Sequence, residues 1–132
     1  MRELIGAVVN ALREVCGREV YPGFDAVPLP KKSDRMFTVV EMERLQVDAP
    51  FPDGVGAVHP FTAMVRISVL VPMTAPVSRA EELLYGGILP VIEEMGAAVC
   101  EVQAATGDAR LQRTVLRAVV RFRGLYTMED AE

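Results

Sequence analysis

The stretch LQRTVLRAVVRFRGLY, residues 111–126, limits the possible folds more than any other part of the chain. Side chains on a β-strand point alternately to its two faces, so the run separates into two sets. Leu116, Ala118, Val120 and Phe122 fall on one face; Arg113, Val115, Arg117, Val119, Arg121 and Arg123 fall on the other. The first set is a core face. The second is an apolar strip crossed by cations, which a solitary monomer has little reason to build.

A chain of 132 residues is one domain by size, and it buries roughly two-thirds of its unfolded surface without help from disulfides or metal. An apolar content of 51% is high for such a chain. The surplus has two outlets, a larger core or a buried interface, and small domains run out of interior first. The net charge of −4 argues against bulk electrostatic binding to nucleic acid. The charge is uneven, however. Arg110, Arg113, Arg117, Arg121 and Arg123 crowd the final strand region, while acids gather at Glu81, Glu82, Glu93, Glu94, Glu129, Asp130 and Glu132. Opposite patches on one small body suit contact between copies of itself. Cys16 and Cys100 sit far apart on apolar positions and read as buried free thiols in a reducing compartment. The N-terminus does not read as a signal peptide, and no apolar run reaches the ~20 residues of a membrane span. A cytoplasmic protein is expected.

The spacing of Leu4, Ile5, Val8, Leu12, Val15 and Cys16 predicts a helix over 3–16, stopped by Gly17. A short strand at 19–21 leads into a proline-rich loop, 22–34, with a basic tip at Lys31 and Lys32. Residues 36–47 are rich in β-branched side chains and read as a strand, apolar on both faces at its start and charged at its far end. A second long loop, 49–60, carries the turn signal Asp53-Gly54 and an apolar tip of Phe51, Val55 and Val58, suited to docking on a neighbouring subunit. In the strand 61–71, Phe61, Ala63, Val65, Ile67, Val69 and Val71 face the core, opposite Thr62, Met64, Arg66, Ser68 and Leu70. Ser78 with Glu81 predicts a capping box opening a second helix, interrupted by Gly86, Gly87 and Pro90 and stopped at Gly96. A strand over 97–105, a turn at 106–108 and the long strand close the chain, with 127–132 a frayed tail. The result is a single α+β domain in the order α-β-β-(β)-α-β-β. Its mainly antiparallel sheet of four to five strands has two helices on one face, and the other face is left to solvent or a partner.

No catalytic motif emerges. His59 is the single histidine and reads as a surface or turn residue, since a general base needs a positioned partner. The chain does not offer four metal ligands at suitable spacing. Gly54-Val55-Gly56 lacks the helix and lysine of a phosphate cradle. The glutamate pairs 81–82 and 93–94 fit the wet face of one helix rather than an acid–base cleft. The arginines of the last strand lack interleaved aromatics on their own face, which weakens an RNA platform. No enzyme, cofactor or metal is therefore expected.

The opening helix LIGAVVNALREV, the connection VYPGFDAVPLPKK and the strand MFTVVEMERL are followed by a second long strand, one helix and a closing hairpin. This layout resembles the small tail-terminator, or tail-completion, proteins of tailed phages and prophages along nearly the whole chain. The resemblance implies a structural subunit that joins copies of itself in a ring, often of six. Such a ring caps the tail tube and meets the head connector; its subunits are made in the host cytoplasm and end in the virion tail. Arg113, Arg117, Val119, Arg121, Arg123, Phe51 and Val55 are the expected interface. The arginines either meet a neighbouring subunit's acidic helix or line a central channel that DNA passes. The alternative is a small ligand-binding or regulatory domain, dimeric through the open sheet face, with Arg66 or Arg117 among the polar groups of its pocket.

Overall fold

The computed structural model describes residues 2–27, 35–51, 58–109 and 112–127; the Lys31–Lys32 tip, the Asp53-Gly54 turn, Val55 and the tail beyond Thr127 lie outside them. Helix α1 spans Arg2–Cys16. The strands are β1 (Val20–Tyr21), β2 (Phe37–Val47), β3 (Val58–Pro72), β4 (Ala98–Val102), β5 (Thr106–Asp108) and β6 (Arg113–Thr127). Helix α2 runs as Val77–Leu83, a π-helical turn Leu84–Ile88, and Leu89–Glu94. The strands form one sheet in the order β1-β2-β3-β6-β4, with β5 also on β6. β1 joins β2 in parallel, and every other pairing is antiparallel. The α+β expectation holds, with six strands.

The added strand is β5. Residues 106–108 read as a turn, yet they pair with 113–115 of β6, and Gln112, just before that strand, stands at φ 54°. β6 is long, and its backbone groups need partners along its whole length; β4 alone covers only 118–121.

The alternation in β3 and β6 sets the core. Ala63, Val65, Ile67, Val69 and Val71 join Leu116, Ala118, Val120 and Phe122 on one sheet face. Val8, Val9 and Leu12 of α1 and Ala80, Leu84, Ile88 and Ile92 of α2 pack on that same face. Each fully buried aliphatic side chain contributes about 1.5–3 kcal/mol. α1 ends at Gly17, whose φ of 77° suits a left-handed cap and whose N–H reaches the Arg13 carbonyl at 2.9 Å. Arg13 in turn donates through Nε and Nη2 to the Val20 carbonyl at 3.2 and 2.9 Å, fastening the helix end to β1.

α2 does not begin with the expected capping box. Pro76, held at φ −65° and ψ 136°, takes the N-cap position without a side-chain hydrogen bond, and the helix opens at Val77. Ser78 therefore already lies inside the first turn. The expected interruption is the π turn, in which Leu89 donates to the Leu84 carbonyl five residues back. Glycine is a poor helix former, and Pro90 has no N–H to continue the regular ladder, which places the irregularity here.

The face away from the helices is not bare throughout. After β1 the chain folds back over it as a 3-10 turn, Phe24–Ala26. Val27, Phe37, Val39, Leu70 and Val115 form a second core there, with Tyr21 and Phe24 packed against it. Phe37 is its centre: Tyr21 meets it edge-on at 6.4 Å between centroids, and Phe24 lies 6.1 Å away.

Candidate assembly surface

Beyond the second core, the same face becomes cationic in steps that follow the sheet register. Phe37, Leu70 and Val115 form the sealed row. Next come Val39, Ser68 and Arg117, then Glu41, Arg66 and Val119 with Glu101 of β4 beyond, then Arg44, Met64 and Arg121. Gln46, Thr62 and Arg123 form the row after that. Burial falls along the same path, from Val115 at 3% exposed to Leu125 at 62%.

Two of the expected interface residues are enclosed within the chain. Arg113 is only 1% exposed; its Nη1 donates to the Arg35 carbonyl, and its guanidinium lies 4.9 Å from the centre of the Phe37 ring. Val119 is likewise buried. Alternation assigns a side chain to a face but not to a depth. Arg117 and Arg121 are half-buried, and Arg123 is exposed. Phe51 is 47% exposed beside the hairpin end, where its N–H reaches the Val58 carbonyl at 3.1 Å. Val55 lies outside the described residues.

Arg66 and Glu41 form a cross-strand ion pair at 3.3 Å, both about one-third exposed, so it adds little to stability. The Nε–H groups of Arg66 and Arg117 are shut away from solvent without an acceptor. A buried donor left in that state costs about 1–3 kcal/mol. Beside Arg117 lies a small recess of about 130 Å³, lined also by Phe24, Val39, Glu41, Ser68 and Leu70.

The acids of α2 lie on the other side of the sheet. Glu81, Glu82, Glu93 and Glu94 are all exposed, while the apolar side of α2 rests on the main core. The cationic and acidic patches therefore face in opposite directions.

An apolar groove of about 750 Å³, outside the expectations drawn above, is lined by Ile5, Gly6, Pro22, Val40, Glu41, Met42 and Leu45. It runs beside β2 where that strand has lost its outer neighbour, because β1 pairs only with Thr38 and Val39. The readable signal was Pro22, which ends β1 after two residues. Leu45 and Val47, each 40% exposed, continue the apolar side of β2 past the helices.

Burial raises the Cys16 thiol to about 11. Cys100, expected to be buried, is exposed instead, on the irregular edge strand β4. His59 Nδ1 lies 2.8 Å from the Asp48 carbonyl, which can only accept, so that nitrogen carries the proton. Among the described residues there is no cluster of three or more His, Cys, Asp or Glu able to hold a metal. No described helix is long and apolar enough to cross a membrane. No protein-family model matches the chain, and no curated protein matches its sequence.

Proposed function

We propose that this chain is a non-enzymatic assembly subunit of a phage or prophage tail, which joins copies of itself in a ring at the head–tail joint. The observation that carries the reading is the opposition of the two charged patches across the sheet. A two-fold dimer needs one self-complementary patch, whereas unlike patches on opposite sides favour head-to-tail contact, which closes into a ring when the rotation allows. The exposed Phe51, Leu45, Val47 and Leu125 supply the apolar contact area such an interface needs. The likeness of the element order to that of tail terminators supports a position between tail tube and head connector. Passive contact between Arg123 and passing DNA is compatible with this arrangement.

The apolar groove falls in the size range of small-ligand sites. Among the described residues Glu41 is the one charged side chain in its lining, so convergent polar groups are few there and a protein segment suits it better. Sedimentation velocity, with the chain alone and with isolated tail tubes, tests the proposal. Rings whose population falls as salt rises are expected. A monomer at every concentration, with and without tail tubes, would overturn it.

A further inference from the structure

The recess beside Arg117 holds an unmatched charge. Arg66 and Arg117 stand in adjacent rows of the cationic face, opposite Val119 and Ser68 respectively. Their Nε–H groups both lack an acceptor. Among the described residues, Glu41, bonded to Arg66 through Oε1 at 3.3 Å, is the one carboxylate paired with these guanidinium groups, and it balances one of their two charges. The Ser68 side chain, nearly buried between β2 and β6, adds a hydroxyl that can donate. The apolar Val39, Leu70 and Val115 line the rest of the recess and lower the local dielectric.

We propose that this recess is a carboxylate-binding notch, and that it receives a glutamate from α2 of a second copy of this chain. The inference rests on the self-association reading above. One negative charge neutralises the surplus, whereas a dianion would be repelled by Glu41. At about 130 Å³ the recess admits a carboxylate and its methylene groups but not a nucleotide. A carboxylate accepts from a guanidinium and a hydroxyl at once, through separate oxygens. The chain's own α2 acids lie across the sheet from the notch and do not reach it, so the donor is another copy. The fit also links the two oppositely facing patches by one defined contact.

The test uses the full chain under conditions where it associates. Carbodiimide treatment of the R117K variant should give an intermolecular amide between position 117 and Glu81, Glu82, Glu93 or Glu94, identified by mass spectrometry. R117E should raise the dissociation constant at least about tenfold, while R18E, exposed in the turn between α1 and β1, should change it less than about twofold. Normal association of R117E, or cross-links from position 117 only to carboxylates elsewhere, overturns the notch and leaves the assembly reading standing. Acetate that occupies the notch of a monomer, seen at the Arg117 Nε resonance by NMR without association, makes the occupant a free anion and overturns the second-copy assignment. A chain that never associates, even with tail tubes, overturns both.

Discussion

The two faces of the sheet are built from the same three long strands and end up with different physics. On the helix side, two helices cover the strands and a single core runs from Val71 and Leu116 to Phe122. On the other side a short turned segment, Phe24–Val27, covers only one end, and a core of five buried residues stops at Val115. Past that point cover is only partial: Val119 is still buried, Arg117 and Arg121 are half-buried, and Arg123 is exposed. The difference shows that alternation in a strand specifies a face, while the length of the covering element decides how far burial proceeds. The cationic rows begin where Phe24 and Val27 run out.

The strongest way to break this comparison is a charge on the helix side. Val120→Asp places an unpaired carboxylate at a position 0% exposed, a cost of several kcal/mol that competes with the whole stability of a small domain. Loss of the cooperative thermal transition by circular dichroism is expected. A folded variant would mean that the main core tolerates charge as the other face does.

Phe37→Ala tests the smaller core. The ring touches Tyr21, Phe24 and the Arg113 guanidinium, and its loss should cost about 3 kcal/mol in urea unfolding while the chain stays folded. A cost below ~1 kcal/mol would mean that this patch is a surface covering rather than a core.

Gly124→Ala probes the far end of the sheet, where an added Cβ would stand 2.7 Å from the Phe61 ring. The half-exposed ring can swing aside, so roughly 1 kcal/mol is expected. A larger loss would show that the projecting strands are more rigid than their exposure suggests.

A subtler effect follows from Cys16. Its thiol ionises near 11 in the folded chain and near 9 when unfolded. Between those values the unfolded state holds fewer protons, so stability falls as pH rises. The stabilisation is complete below pH 9 and lost toward pH 11. Chemical denaturation of the native chain and C16A should show a steeper decline for the native chain across that window. Equal slopes would mean the thiol is no more enclosed than Cys100.

The smallest effect on stability is expected at the cationic face. Arg117→Glu should change the unfolding free energy by less than about 1 kcal/mol, because removing an unsatisfied Nε–H relieves its desolvation cost while the new carboxylate shares the recess with Glu41. Its effect belongs to association. Unfolding of this variant would mean that Arg117 is structural, as Arg113 is.

Much of this fold is legible in the residues. The period-two runs of β3 and β6 name their core faces correctly, and the left-handed glycine at 17 ends α1 where the sequence places it. Ser78 misleads because a proline two residues earlier already supplies the extended geometry that starts a helix. Residues 22–27 hide their role because a segment without period gives no sign of which surface its Phe24 and Val27 will cover. Burial of Arg113 follows from that covering and was invisible for the same reason. The groove beside β2 depends on where β1 stops, a tertiary matter that strand propensity does not encode.

The register of β2 slips between Met42 and Arg44, so that Glu43 is one residue more than β3 needs. Because of that single insertion, Arg44 stands opposite Met64 among the cations, and Leu45 stands opposite Ala63 on the greasy side. The same sequence paired as a regular ladder, with no bulge, would exchange the two: Leu45 and Val47 would turn toward the arginines, and Arg44 and Gln46 would turn toward the groove. The outer third of the strand thus has a polarity set by counting rather than by composition, and the bulge itself, with no change of residue, decides what each side of the protein offers a neighbour.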